Sequence, residues 1–352
     1  MLDLSIISEA ELLAKIQKLS TLIEVAHLLG VSENSLRLQT HYFPERYREF
    51  EVPKKAGGSR WISAPNKRLK LIQSNLAQVL SAIYNPSIAV QGYVKGRSIV
   101  SNARIHQGQP YIINLDLKDF FPSITIARVI GLFQSLPFNI PYSGARILAH
   151  ICCDNQILPQ GAPTSPVIAN LICRRLDREI LSFSEERGSV YSRYADDITI
   201  STKFNSMVPY ILSFDDDSVK VKLDDELQQI IDRNGFTVNY NKVRLQTYFT
   251  RQEVTGIIVN KRLNVTRETI RQVRAMTHAL RKFGPILAQE HFYQYYDNKK
   301  RENSIDAPEF LMILRGKIEF IGMIRGKNDA LYRKLLRKFI MARVAHLNLR
   351  KT

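Results

Sequence analysis

The sequence is poor in cysteine and tryptophan, with three of the first and one of the second in 352 residues. Cys152 and Cys153 are adjacent and Cys173 is distant. That spacing fits neither a zinc site nor a disulfide framework. It reads as small buried thiols in a reducing compartment. Long apolar runs are also lacking, and none approaches the roughly 20 residues that a membrane-spanning helix needs. The start, MLDLSIISEAELL, carries acids and lacks a basic n-region, so no signal peptide is expected. These absences predict a cytoplasmic protein with no membrane partner. Acids are the other scarcity: 33 Asp and Glu face 50 Lys and Arg, a net charge of +17. Such a balance disfavours an ordinary metabolic enzyme and points to a polyanion, either nucleic acid or an anionic surface.

The excess is uneven. Residues 261–352 hold 21 bases and 8 acids, a balance of +13, while the first 260 hold 29 and 25. Acids spent that freely upstream suggest a separate job for some of them. Helical spacing runs through residues 5–40, with Leu12, Leu13, Ile16, Leu19, Ile23, Ala26 and Leu29 on one face. VAHLLGVSENSLRL reads as two helices with Gly30 as C-cap and Ser32 as N-cap. It is either a plain helical hairpin or a DNA-reading motif, and Asn34, Ser35, Arg37 and Gln39 offer little to read bases with. Residues 50–65 read as a basic hairpin around AGG, with Lys54, Lys55 and Arg60, and a helix follows over 67–83. Residues 111–117 form an apolar strand ending in acid. Helices are expected at 125–135, 144–153, 165–184 and 223–234. Strands are expected in 189–202 around an Asp pair, and at 236–240, 243–248 and 253–259. The tail from 266 is helical, with Arg333, Lys334, Arg337 and Lys338 opposite Leu331, Leu335 and Ile340. The class is α+β.

Two places put carboxylates at strand ends: Asp116 in IINLDLKDFFPSI, and Asp196–Asp197 in YSRYADDITI. One reading is structural, a strand cap and a hairpin tip, since Asp accepts turn geometry. The other is chemical. Phosphoryl transfer needs charge neutralised at the attacking and leaving oxygens, and two Mg²⁺ ions held by hard oxygen ligands do this. Asp119 reads as surface charge, and Asp215, Asp216 and Asp217 as a solvated loop.

YADD between apolar strands resembles the catalytic C motif of reverse transcriptases. The other blocks arrive in that family's order. LDLKDFFPSI (115–124) resembles motif A, LPQGAPTSP (158–166) motif B, and GFTVNYNK (235–242) motif D. RWISAPNKRLKLIQ and GYVKGRS resemble the fingers blocks, although Val94 stands where the family often has Arg. NARIH (Asn102 to His106) before motif A and VTG (Val254 to Gly256) after motif D resemble the bacterial retron enzymes.

The resemblance implies a right-hand polymerase fold. Residues 1–49 would form a helical extension, 50–113 fingers, 114–260 palm with fingers-associated helices over 125–185, and 261–352 a basic helical thumb. It implies that Asp116, Asp196 and Asp197 bind two Mg²⁺ ions. Phe121 would exclude a 2′-hydroxyl, unless it is an ordinary core ring. Gln160 and Gly161 would line the nucleotide pocket. Arg60 and Lys70 would grip the triphosphate, and Lys242 would stand near the leaving pyrophosphate. Asn102 and His106 would either brace the fingers against the palm or contact RNA, and Thr255 and Gly256 would face the primer or make a turn. Arg333 and Lys334 would contact phosphates.

By the same resemblance the partners are a cognate structured non-coding RNA (msr-msd) and dNTPs. Synthesis would start from the 2′-hydroxyl of a guanosine in that RNA and yield branched multicopy single-stranded DNA (msDNA). An effector toxin of the same operon would be restrained within a phage-defence system. The alternatives are another bacterial reverse transcriptase (group II intron-like, diversity-generating or abortive-infection type), or a non-catalytic nucleic-acid-binding protein.

Overall fold

The computed structural model describes residues 7–42, 46–53, 57–214, 221–295 and 310–348. Lys54, Lys55 and the Asp215–Asp217 run therefore lie outside the described residues. In chain order the elements begin with α1 (Glu9–Gln17), α2 (Leu22–Leu29), α3 (Glu33–Arg37), β1 (Tyr47–Pro53), β2 (Ser59–Pro65), α4 (Lys67–Ile83), α5 (Ile99–Ile105) and β3 (Tyr111–Asp116). Then come α6 (Ile126–Gln134), α7 (Tyr142–Cys152), α8 (Ser165–Ile172), α9 (Arg174–Glu186), β4 (Ser189–Tyr194) and β5 (Asp197–Thr202). They are followed by β6 (Leu212–Phe214), β7 (Val221–Leu223), α10 (Asp225–Arg233), β8 (Arg244–Thr247), β9 (Glu253–Val254) and β10 (Ile257–Ile258). The chain closes with α11 (Arg267–Tyr295), α12 (Phe310–Arg325) and α13 (Ala330–Asn348). The class is mixed helix and sheet, as expected.

Two compact units emerge: residues 1–98 with 113–245, and residues 99–112 with 246–352. The segment 99–112, expected among the fingers, thus clusters with the C-terminal part of the chain. In the first unit, α1 and α2 each open on a capping box, Ser8 with Glu11 and Thr21 with Glu24. The second box restarts the helix, so the apolar phase does not run on. Ile23, expected inside, is 62% exposed, and Val25, Ala26, Leu28 and Leu29 are buried instead. Gly30 and Ser32 cap as expected, but α3 is only five residues long. Arg37 is paired with Glu33, and the buried Gln39 side chain accepts from Asn66. With so short a second helix, this is a helical hairpin.

β1 and β2 pair antiparallel from Tyr47↔Pro65 to Pro53↔Ser59. The four-stranded sheet runs β4-β5-β3-β8. β4 and β5 form a hairpin with Tyr194 opposite Asp197, leaving Ala195 and Asp196 as its two-residue loop. Ile113 and Leu115 of β3, Ile198 and Ile200 of β5, and Leu176, Ile180 and Phe183 of α9 are fully or almost fully buried in one core. Each such side chain contributes about 1.5–3 kcal/mol. Cys152, Cys153 and Cys173 are buried and unpaired, and burial pushes the Cys153 and Cys173 thiols up to about 12. They are inert packing groups.

Residues 236–240 do not form the expected strand. Only Val238 bridges, to Leu117, before a single 3-10 turn at Tyr240–Lys242. Two bonds of 2.8 Å make that bridge, from the Asn239 N–H to the Asp116 carbonyl and from the Lys118 N–H to that of Thr237, and the 3-10 turn ends the pairing there. The expected strand 253–259 is split as well. Thr255 (φ 47°) and Gly256 (φ 80°) make a two-residue turn between β9 and β10, with Val254 opposite Ile257. Two successive positive φ values mark the hairpin turn that suits strand twist.

The second unit packs Val254, Ile257, Val273, Leu280, Leu314, Ile318, Ile321 and Phe339 into its own core. Its helices carry the expected basic surface, with one change of phase. Ile340 is 49% exposed, and Tyr332, Leu335, Phe339 and Ala342 are the buried row of α13. Arg325, at the end of α12, grips Asp329 through two bonds of 2.9 Å and reaches Asn264 at 2.6 Å. Among the described residues no helix is long and apolar enough to cross a membrane.

Candidate active site

The first unit brings the three carboxylates together at one end of the sheet. Asp116 closes β3 and is 5% exposed. Asp196 occupies the β4–β5 loop, and Asp197 opens β5. The Leu117 N–H donates to the Asp196 carbonyl at 3.0 Å, which ties the end of β3 to the loop. Burial and the charges of Asp196 and Asp116 push the Asp197 carboxyl up to about 6. Asp196 is raised by burial, against a backbone hydrogen bond that lowers it, and by Asp116. Crowded carboxylates of this kind are costly until a cation joins them.

One cation is already there. Lys242 Nζ lies 2.7 Å from Asp116 Oδ2, and Asn239 Nδ2 donates to Oδ1 at 3.0 Å. Both oxygens of Asp116 are therefore engaged. Among the described residues no three His, Cys, Asp or Glu side chains are gathered closely enough to hold a metal ion as they stand. The donor set nonetheless suits a hard divalent cation, being all carboxylate oxygen on adjoining strands.

The loop carrying Asp196 is held by a buried ion pair that the sequence reading did not single out. Arg193 is 0% exposed and Asp177 1%. Arg193 Nε and Nη2 each lie 2.7 Å from an Asp177 oxygen, and Tyr191 donates to the same carboxylate at 2.7 Å. The free Nη1 of Arg193 donates to the Ala195 carbonyl at 3.0 Å. Ala195 sits at φ 59°. A two-residue loop with positive φ at its first position usually has Gly there, so the Ala conformation is strained and must be held.

Gly92 holds it from the other side. A Cβ at Gly92 would stand 2.6 Å from the Ala195 nitrogen and 3.1 Å from Tyr194 backbone atoms. Only a residue without a side chain allows that approach. Asn170 donates to the Gly92 carbonyl at 3.0 Å, and the Gln91 N–H to that of Arg193 at 2.7 Å. Tyr93 places its ring 6.4 Å from those of both Phe121 and Tyr194, and burial and Asp196 raise its hydroxyl. The signal was present in GYVKGRS and RYADD. Asn239 carried no such signal, because its segment read as a plain strand.

The remaining expected residues fall as follows. Phe121 is half-buried against the core and edges onto Phe120 at 5.2 Å. Gln160 accepts the Ser63 N–H at 2.9 Å, and a Cβ at Gly161 would meet the Ser63 carbonyl at 2.8 Å, so this loop is seated on β2. Arg60 is exposed on β2, and its charge is felt at Asp196 and Tyr93. Lys70 is exposed on α4.

In the second unit, Asn102 and His106 are 1% and 0% exposed, and burial pushes His106 down to about 3. The RNA-contact reading of these two is corrected: they are buried within the second unit and offer RNA no surface. The Thr255 hydroxyl donates to the Ile99 carbonyl at 3.2 Å, and nothing crowds Gly256. The pair therefore makes a turn. Arg333 and Lys334 are exposed, and Lys334 lines a cleft of about 670 Å³ with Arg274, Arg281 and Lys338.

A hairpin-borne Asp pair beside a strand-end Asp is the arrangement that the sequence motifs led one to expect. The chain belongs to the reverse transcriptase (RNA-dependent DNA polymerase) family, whose pattern matches residues 52–298. Within it, the chain is 35% identical to the retron Ec86 reverse transcriptase of Escherichia coli, over 74% of this chain and 78% of that one. It is 36% identical to the retron Mx65 reverse transcriptase of Myxococcus xanthus, over 72% and 62%. A Candida albicans telomerase structure aligns at TM-score 0.45 and 10% identity, over 84% of this chain and 63% of that one. The chain is thus a bacterial retron-type RNA-directed DNA polymerase with the right-hand fold. The group II intron-like, diversity-generating, abortive-infection and non-catalytic alternatives give way to that placement.

Proposed function

We propose that this enzyme copies part of a structured non-coding RNA, encoded beside it, into DNA. Synthesis starts from the 2′-hydroxyl of a guanosine in that RNA and leaves a branched RNA–DNA molecule, msDNA. The observation that carries the chemistry is the convergence of Asp116, Asp196 and Asp197 where β3 meets the β4–β5 loop. These carboxylates would hold two Mg²⁺ ions, which would supply charge neutralisation at the attacking and leaving oxygens. Lys242, drawn to Asp116, is placed to move toward the departing pyrophosphate once that carboxylate is otherwise neutralised. Arg60 and Lys70 attract the triphosphate, and the seated Gln160–Gly161 loop borders it. Phe121, backed by Phe120 and Tyr93, stands under the incoming sugar and selects deoxynucleotides. Thr255 and Gly256 shape a turn on the primer side, and Arg333 and Lys334 hold phosphates by charge. The division into extension, fingers, palm and thumb at 49, 113 and 260 is part of this proposal. So are a cytoplasmic location, a role in phage defence and an effector toxin as partner.

The test is direct. Purified protein, its neighbouring RNA, dNTPs and Mg²⁺ yield a DNA joined to RNA, and treatment with a 2′-5′ debranching nuclease shifts its mobility. A product untouched by debranching refutes the priming proposal while leaving the polymerase intact.

A further inference from the structure

Between β8 and β9 the chain turns through Tyr248, Phe249, Thr250 and Arg251. Tyr248 is 53% exposed and Phe249 80%. Their ring centroids are only 3.9 Å apart, at 33°. Two large rings held against each other at the surface leave much of their apolar area in water.

The turn beneath them is rigid. Thr250 gives both its N–H and its hydroxyl to the Thr247 carbonyl, at 3.0 and 3.1 Å. The Asn260 side chain donates to the Thr250 carbonyl at 2.7 Å and accepts the Gln252 N–H at 2.9 Å. Gln252 is 0% exposed and its amide reaches the carbonyls of Gln109 and Pro110, at 2.8 and 3.0 Å. These bonds hold the backbone that carries the two rings.

The chain around them is basic. Residues 246–262 carry Arg251, Lys261 and Arg262 against Glu253 alone. Arg251 leans toward Glu253 at 3.6 Å, and Lys261 and Arg262 are exposed next to Asn260, whose side chain holds this turn. An exposed aromatic pair on a basic segment suits an unpaired nucleobase: the ring stacks on the base while the bases of the protein hold neighbouring phosphates. A lipid surface or a second copy of the chain accounts less well for rings paired with each other on a preset turn.

We propose that Tyr248 and Phe249 form a stacking platform for an unpaired base of the RNA that the enzyme engages. This rests on the reading of the chain as an RNA-copying enzyme. The platform adds affinity without base identity, since every base has a π face.

The probe is a short single-stranded RNA with one 2-aminopurine at scanned positions. Wild-type protein quenches the fluorophore at one or a few positions. Tyr248→Leu with Phe249→Leu, which keeps apolar bulk and removes the rings, abolishes that quench and weakens binding about 5- to 150-fold. The dependence of affinity on salt keeps its slope, because no phosphate contact is lost. Phe249→Leu alone, at the more exposed position, gives a partial loss with an unchanged melting temperature. Unchanged quench and affinity in the double variant overturn the platform. Retained RNA affinity with lost sedimentation on anionic vesicles, or with a changed oligomeric state, assigns the rings elsewhere and overturns it too. Extension of a primed RNA template by the same preparations separates the two readings. Wild-type extension with no effect of the rings overturns only the platform, and no extension at all overturns the polymerase reading.

Discussion

Asp177 and Arg193 are the pair whose removal tests most about this site. Both are buried, joined by two bonds of 2.7 Å, and linked through Arg193 to the carbonyl of Ala195. Asp177→Ala leaves a guanidinium without its counter-charge in the core, and leaves the Tyr191 hydroxyl without its acceptor. Stranding one member of a buried pair costs about 3–5 kcal/mol. Against a domain stability of about 5–15 kcal/mol, that is a large fraction. Replacing both members, Asp177→Leu with Arg193→Met, removes the uncompensated charge and recovers most of the loss. It does not restore the donor to the Ala195 carbonyl. Stability and activity therefore part company: denaturant unfolding places the double variant clearly above Asp177→Ala, short of the parent by the unpaired Tyr191 hydroxyl, while kcat in primer extension stays at least about tenfold down, or about 1.4 kcal/mol. An Asp177→Ala loss below about 1 kcal/mol, or full activity in the double variant, refutes the reasoning.

Other outcomes follow from the same geometry. Gly92→Ala forces the Ala195 loop to shift, because the new Cβ meets backbone at 2.6 Å; kcat falls more than KM, and Gly92→Ser is no better. The raised carboxyls of Asp196 and Asp197 bind more protons folded than unfolded between about pH 4 and 6. Stability of the protein without added cation therefore falls as pH rises through that window. The fall is at most of order 1 kcal/mol, because Asp197 is exposed and water screens its charge; urea midpoints at both ends check it, and Asp197→Asn flattens the slope. Lys242→Met removes a cation that lowers Asp196 and Asp197, so the acidic limb of the pH–rate profile moves to higher pH and kcat drops; a profile unmoved by the change contradicts that role.

The sequence was most legible where one local pattern decides one local structure. The Asp-Asp hairpin over 189–202 follows from alternation around a two-residue loop, and α4 from an N-cap Asn66 and an apolar row. Legibility failed where a short break resets a long pattern. The Thr21–Glu24 capping box turned Ile23 outward, and packing on α12 put Tyr332 rather than Ile340 inside. It also failed where a residue acts through a distant one. Asn239 meets Asp116 across 123 positions, and Asp177 meets Arg193 from another element. Apolar periodicity is blind to both. The carboxylates themselves were visible because chemistry had placed them where a strand tolerates them badly.

The measurement closest to the central claim is incorporation of labelled dNTP on a primed RNA template by the Asp196→Asn enzyme beside the wild type. The wild type extends the primer. The variant loses about a thousandfold or more in rate, matching the several kcal/mol that metal-held carboxylates supply, and still binds the RNA with near-normal affinity. Undiminished extension by Asp196→Asn would contradict the account.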